Sequence, residues 1–261
     1  MASSPPIFLH STALLPLLLL LPLLAAAQTQ TPQNISVGSS LTPLGKTTSW
    51  FSPSGDFAVG FRRLESNNSL FLLAVWFDKV ANQTVVWAAN RNKPVRGGAK
   101  FELAADGRLV LSDDAGEEVW SVDNGGLVAN DTYAAMLDSG NFVLGPWQSD
   151  KYAWESFSHS MDTMLPSQTM QPDTSLLSRL METDYSNGRF LLGVQPDGNL
   201  VFYPTAVPSC PSGTNCDLYP AYWASNTVGV GNQLIFNSAG DVYFSLRNGS
   251  SINITSAKSY S

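Results

Sequence analysis

Apolar residues in this chain arrive in short runs cut by turn chemistry. The nine residues QPDGNLVFY (195–203) show the pattern in full, with FLLGV before the turn and LVFY after it. Proline presets one backbone angle, aspartate bonds its own backbone and glycine permits positive φ. The same punctuation returns in SPSGDFAVGF (52–61), AADGRLVLS (104–112), LDSGNFVLG (137–145) and NSAGDVYFS (237–245). Each has a glycine, a polar residue and then apolar residues, which predicts a turn entering a strand. Tryptophan recurs in VVWAAN (85–90), EVWS (118–121), AWESF (153–157) and YWAS (222–225). So bulky a side chain repeated at such intervals predicts a packing role in a core. Helical periodicity is poor throughout, and only Leu176 to Glu182 reads as a single helical turn. The chain therefore predicts an all-β fold of short strands and frequent turns.

The hairpin 195–203 also gathers chemistry. Gln195 and Asn199 bracket its tip and face each other across the ladder. Val201 and Tyr203 follow Asn199 at period two, so the three share a face. Together with Asp197, this patch offers two amides, a carboxylate, an aliphatic wall and a phenol. Sugar hydroxyls both donate and accept hydrogen bonds, and these groups match them. Residue chemistry alone leaves the other reading open, an ordinary hairpin whose polar residues serve the turn and the solvent.

Outside the hairpins, Leu14 to Leu24 is nearly pure leucine and proline, followed by Ala25-Ala26-Ala27 and polar Gln28. This predicts a signal peptide over 1–27, cleaved after Ala27, despite a start region without Lys or Arg. About 14 apolar residues broken by prolines fall short of the roughly 20 needed to span a bilayer. No later run is as long, which predicts a mature chain without a membrane span, secreted or at the cell surface. The net charge of −7 excludes a nucleic-acid partner, since no basic stripe is available to displace counterions. The one basic stretch, Arg91, Lys93, Arg96 and Lys100, lies among Asn, Pro and Gly and reads as a solvated loop. N-glycosylation is expected at the sequons of Asn34, Asn67, Asn82, Asn130, Asn248 and Asn253. Cys210 and Cys216 enclose a tight turn, and in an oxidising compartment they are expected to form a disulfide. No other ligand type clusters near them, so neither a metal nor another cofactor is expected.

The spacing Gln-x-Asp-x-Asn-x-Val-x-Tyr resembles the mannose-binding motif of the bulb-type (monocot mannose-binding) lectins at all five positions. The resemblance assigns the axial O2 of mannose to Asp197 and Asn199, O3 to Gln195, O4 to Tyr203 and the ring face to Val201. LTPLGKTTSWFSPSGDFAVGF, VVWAANRNKPV, MLDSGNFVL, WESFSHSMDTMLPSQ and LLSRLMETDYSNGRFLLGVQPDGNLVFY extend it. These stretches are similar to the lectin ectodomain of plant G-type lectin S-receptor-like kinases, over nearly all of the chain after Gln28. That family implies tandem β-prism II domains, each of three four-stranded antiparallel sheets with tryptophan at the centre. The first is expected over 28–150 and the second, incomplete, over 151–261, with the join near Gly145 to Lys151.

The other hairpins depart from the sugar pattern. The five positions read Ala104, Asp106, Arg108, Val110 and Ser112 in one, and Leu137, Ser139, Asn141, Val143 and Gly145 in another. The first domain is therefore expected not to bind mannose at these faces. With SSINITSAKSYS at its end, the second prism is expected to lack its closing hairpin, and an open sheet edge predicts pairing as a homodimer. These residues hold no glycine-rich phosphate loop, strand lysine, HRD or DFG sequence, so no kinase reaction is read from them. Adjacent Glu117 and Glu118 point to opposite sides of a strand and cannot serve as a glycosidase pair. His159 is read as a loop or packing residue. The partners expected are mannose-type glycans or glycoproteins; the alternative is a protein- or peptide-recognising ectodomain that has lost sugar binding.

Overall fold

The computed structural model describes residues 34–147, 149, 151–206 and 218–255. The targeting segment 1–27 and the expected Cys210–Cys216 disulfide lie outside these residues. No α-helix occurs among the described residues, only two short 3-10 turns at Ala129–Asp131 and Ser156–Ser158. None is long and apolar enough to cross a membrane.

Three antiparallel sheets are built from residues 35–155. Sheet I orders Ser49–Phe51, Phe57–Arg63, Leu70–Phe77 and Val85–Ala88, with Val95–Arg96 added against Leu70–Phe77. Sheet II orders Glu118–Val122, Leu109–Ser112, Lys100–Leu103 and Ser40–Leu41. Sheet III orders Ile35–Ser36, Thr132–Met136, Phe142–Pro146 and Trp154–Glu155. The two short N-terminal strands thus close sheets II and III, whose other strands come much later in the chain. Residues 168–255 form two further sheets. Sheet IV orders Thr174–Met181, Asp184–Val194, Leu200–Pro204 and Trp223–Ala224. Sheet V orders Gln168–Met170, Gly231–Phe236, Val242–Leu246 and Ser251–Thr255.

One tryptophan from each of the first three sheets meets the other two. Trp87, Trp120 and Trp154 have ring centroids 5.8, 5.7 and 5.7 Å apart, each pair edge-on. That is the preferred geometry of aromatic pairs, with a positive ring edge against a negative face. Three sheets around one aromatic centre make the prism that the resemblance implies, and all four recurring Trp segments lie on sheet-forming strands. In sheet IV the equivalent residue is Trp223, which stands 42% exposed with Phe202 and no second tryptophan against it. The core of sheets IV and V is small: Met170, Val194, Leu200, Leu234 and Phe244.

The predicted hairpins form at the predicted places; four of the five share one bonding pattern, while at 52–61 the Ser52 N–H bonds the Phe57 carbonyl, five residues on. At the tips starting at Ala104, Leu137, Gln195 and Asn237, the first N–H bonds the carbonyl four residues on. The glycine N–H then bonds back to the first carbonyl. Gly198 has φ +85°, and a Cβ there would lie 2.5 Å from the Gly231 carbonyl oxygen, so only glycine fits. Turns at 113–117 and 246–250 repeat the pattern and escaped the sequence reading.

Two expectations are corrected. Leu176 to Glu182 makes no helical turn, since Thr174–Met181 is a strand. Leu176 and Leu177 pair with Leu192 and Leu191, and this cross-strand packing outweighs local helix propensity. The basic stretch is not uniformly solvated. Lys93, Arg96 and Lys100 are exposed, but Arg91 is half-buried. Its Nε donates to Tyr185 O (2.7 Å), Nη1 to Leu177 O (2.9 Å), and Nη2 to Ser178 O (3.0 Å) and Ser186 O (3.3 Å). Asn92 Oδ1 accepts the Asn187 N–H at 2.9 Å. One loop of the first prism thus clasps the far end of sheet IV. Nearby, Arg179 Nε bonds Asp162 Oδ2 at 2.8 Å, and its guanidinium lies 4.7 Å from the Tyr185 ring.

A lysine cannot reach four carbonyls at once with one ammonium. Arg91→Lys is expected to lower unfolding free energy by about 2 kcal/mol, while Lys93→Ala stays within about 0.5 kcal/mol. Urea unfolding of both variants checks this, and equal midpoints would remove the clasp's energetic role.

Candidate functional site

The five motif residues lie on one hairpin. Gly193 pairs with Val201 and Leu191 with Tyr203, which puts Asn199, Val201 and Tyr203 on one face with Gln195. Gln195 Nε2 donates to Tyr203 Oη at 2.7 Å. By register this bond spans the Gly193–Val201 pair, and Val201 beneath is only 2% exposed. Tyr203 is half-buried and Asp197 is exposed at the tip.

Much of this chemistry also serves the fold. Asp197 Oδ1 accepts the Asn199 N–H at 2.9 Å, as Asp106 Oδ1 accepts the Arg108 N–H at 3.1 Å in another hairpin. Asn199 Oδ1 accepts the Ser225 hydroxyl (3.1 Å) and the Thr227 N–H (3.2 Å), while Ser225 Oγ accepts the Leu200 N–H (3.0 Å). Sheet III repeats this hook. Asn141 Oδ1 accepts the Ser156 hydroxyl (3.2 Å) and the Phe157 N–H (3.1 Å), and Ser156 Oγ accepts the Phe142 N–H (2.9 Å). The asparagine carbonyl therefore fastens a hairpin tip to the following Trp-x-Ser segment in both sheets. Ser225 and Thr227 were missed by sequence reasoning, although the shared Trp-x-Ser in AWESF and YWAS was a visible signal.

Besides the motif positions themselves, the two faces differ at the residue beside the asparagine amide. In sheet III, Glu155 pairs with Val143, and its Oε2 accepts from Asn141 Nδ2 at 2.7 Å. In sheet IV, Ala224 takes that place opposite Val201. Asn199 Nδ2 has no acceptor among the described residues. Sheet II fills the corresponding face with charge: Arg108 bonds Asp106 at 2.8 Å and Glu118 at 3.3 Å. In sheet V, Asn237 Nδ2 lies 3.3 Å from Asp241 Oδ2. The 195–203 face thus keeps an open amide donor, where the Asn141 donor is occupied and the 104–112 face is ion-paired.

Gln195 and Tyr203 also line a crevice of about 1510 Å³, together with Trp120, Asp123 and Trp154 of the first prism. His159 lies there too, stacked on Trp154 at 5.3 Å, and burial holds its pKa below the usual histidine value. Among the expected glycosylation sites, Asn67, Asn82, Asn130, Asn248 and Asn253 are exposed and Asn34 is half-buried.

Because the asparagine hook recurs, removing it is expected to weaken both hairpins. Asn141→Ala and Asn199→Ala should each lower unfolding free energy by about 1–3 kcal/mol, leaving donors without their acceptor. Thermal and urea unfolding read this; an unchanged midpoint for Asn141→Ala would show that the hook contributes nothing.

Residues 84–183 match the family described as D-mannose binding lectin, a span that ends before Gln195. The G-type lectin S-receptor-like serine/threonine-protein kinase LECRK3 of Oryza sativa subsp. indica is 51% identical over 253 residues, covering 93% of this chain and 30% of that protein. The kinase of the same type named RLK1, from Arabidopsis thaliana, is 39% identical over 230 residues, covering 83% of this chain and 27% of its own. The chain therefore spans under a third of the length of these relatives. A monomeric monocot mannose-binding lectin from Gastrodia elata aligns with 48% of this chain and 94% of its own at 20% identity, with a TM-score of 0.35. The chain carries bulb-type lectin sequence, and it is similar to the lectin-bearing portion of the G-type lectin S-receptor-like serine/threonine kinases.

Proposed function

We propose that this chain is an extracellular lectin module that holds mannose-type glycans on the Gln195–Tyr203 face. The observation that carries the reading is the open Asn199 amide beside the Gln195–Tyr203 pair, where Glu155 closes the sister face. In the free protein Gln195 and Tyr203 satisfy each other. A sugar replaces that bond with bonds to its own hydroxyls. Exchange of one hydrogen bond for others gains little net energy, in keeping with a monosaccharide affinity near millimolar, about −4 kcal/mol. Val201, covered by this pair, becomes the apolar floor once the pair opens.

The leucine-rich start and the exposed sequons favour secretion, with residues 28–150 and 151–261 as tandem lectin-type parts. The relatives' printed names make them kinases; this chain would correspond to their ligand-sensing part and itself catalyse nothing. A protein-recognising role is the second reading. It is favoured by the aromatic patch of Phe190, Tyr222 and Trp223, exposed by 55, 58 and 42%.

Calorimetric titration with methyl α-mannoside separates the two readings. Binding is expected, weaker for the glucoside, whose O2 is equatorial. Tyr203→Phe should weaken binding about tenfold, the worth of about one hydrogen bond. Ala224→Glu, which copies Glu155, should abolish binding at unchanged melting temperature. A flat titration of the folded protein would sink the carbohydrate reading.

The strand Ser251–Thr255 is exposed at all five residues and forms the edge of sheet V. Unpaired edges recruit other strands, so this edge is the proposed seat of homodimer formation. Sedimentation velocity should show a concentration-dependent dimer that Ile252→Lys abolishes; a monomer at every concentration would remove the proposal.

A further inference from the structure

We propose that Asn253 carries an N-linked glycan whose first N-acetylglucosamine sits in a pocket on the outer face of sheet V and fastens its last strand. This sugar is one the chain carries rather than captures, so its seat is independent of what the Gln195–Tyr203 face binds. The six sequon asparagines stand in different settings. Asn67, Asn82 and Asn248 lie on turns or loops, Asn130 in a 3-10 turn and Asn34 just ahead of the first strand, whereas Asn253 lies within the strand Ser251–Thr255. A glycan on a turn tip points into solvent; one within a strand starts beside the side chains of the neighbouring strand.

The register places it. Tyr243 is the cross-strand partner of Asn253, and Ser245 that of Ser251. Cross-strand partners share a face. The other face turns inward, since Ile252 pairs with fully buried Phe244. On the outer face Ser251, Asn253 and Thr255 line a pocket of about 300 Å³ together with Tyr243 and the hairpin-tip residues Asn237 and Asp241. Small-molecule sites run from roughly 300 to 1,000 Å³, so this one suits a single sugar unit rather than a chain. Asn253 is exposed, and neither its amide nor the Tyr243 hydroxyl has a hydrogen-bond partner among the described residues. The fold thus makes no use of the amide that the sugar takes. Tyr243 offers an aromatic ring for the C–H face of the sugar and a hydroxyl that donates or accepts. Asn237 Oδ1 is held by the turn, accepting the Ala239 and Asp241 N–H groups at 3.0 and 2.9 Å. Its Nδ2 and the Asp241 carboxylate, 3.3 Å apart, are the groups left to meet the acetamido and hydroxyl groups.

The strand has need of a fastening. All five of its residues are exposed, and only five buried residues form the core of sheets IV and V. A sugar bonded to Asn253 and packed on Tyr243 ties this strand to Val242–Leu246, and the covalent link keeps it at high effective concentration. Side chains stand roughly perpendicular to a sheet, so the sugar covers the face and leaves the edge backbone groups free. It also closes the sheet V copy of the hairpin to ligands from outside.

The test uses the full chain secreted from a eukaryotic host that builds high-mannose glycans. Glycopeptide mass spectrometry is expected to find Asn253 occupied. Asn253→Gln should lower the melting temperature by about 2–4 °C and speed hydrogen exchange across 251–255. Thr255→Ala, which keeps Asn253 but breaks its sequon, should match it. Asn82→Gln, which removes a glycan from an exposed turn, should change neither reading. Tyr243→Ala should cost more in the parent than in the Asn253→Gln background. Endoglycosidase H on the folded parent leaves one N-acetylglucosamine and should leave exchange across 251–255 slow, an arm that needs no variant to fold. An unoccupied Asn253, exchange as slow without the glycan as with it, or exchange that speeds on trimming to one sugar would each overturn the seat.

Discussion

Everything in the first prism depends on the mutual packing of three indoles. Each sheet is a short, twisted, one-sided surface that cannot bury its apolar face alone. Trp87, Trp120 and Trp154 come from three different sheets and meet edge-on. Phe101 and Phe142 extend the cluster, with Phe101 against Trp120 and Phe142 against Trp154. Three-sided closure explains why one large residue per sheet suffices and why the core cluster runs continuously from Ile35 to Leu165. Sheets IV and V have no such centre among the described residues. Trp223 meets no other tryptophan, and five buried residues carry that core. Part of their order must come from outside them, and Arg91 supplies it, as one guanidinium reaching four carbonyls across the seam.

The hairpin tips were legible because turn chemistry is local. Glycine with positive φ and an Asp or Ser one or two residues before it need no distant partner, so 104–108, 137–141, 195–199 and 237–241 could be placed from residue types alone. The turns at 113–117 and 246–250 use the same chemistry with less regular flanks, which hid them. What could not be read was anything decided across the fold. Leu176 and Leu177 choose a strand because Leu192 and Leu191 lie opposite. Arg91 looks like loop charge until the carbonyls of residues about 90 positions later close on it. The sugar positions were legible as a spacing, and their common face follows from period two. That Asn199 Oδ1 is tied to Ser225 and Thr227 was not, because these partners stand on a separate segment.

The same asparagine thus answers to two demands. Its carbonyl side belongs to the scaffold, as the copy at Asn141 makes plain on a face without the sugar set. Its amide side is what differs between the copies. A motif match alone weighs both sides equally and so overstates how much of it is there for recognition. Asp197 divides in the same way, with one oxygen on the Asn199 N–H for the turn and the other facing solvent at the exposed tip.

Repetition of one hairpin on several sheets turns the question of function into a comparison among near-copies. The scaffold contribution is common to all and cancels; what remains is the local closure. On sheet II an ion-paired arginine occupies the face, and on sheet III a glutamate holds the amide. On sheet IV an alanine leaves the amide unpaired, and the glycine opposite Val201 lies beneath the Gln195–Tyr203 bond. Small side chains at these two positions are a negative signal, invisible to any search for functional groups. A carbohydrate ligand is therefore favoured less by the presence of Gln, Asp, Asn and Tyr than by the lack, at Ala224, of a carboxylate that would hold the Asn199 amide first.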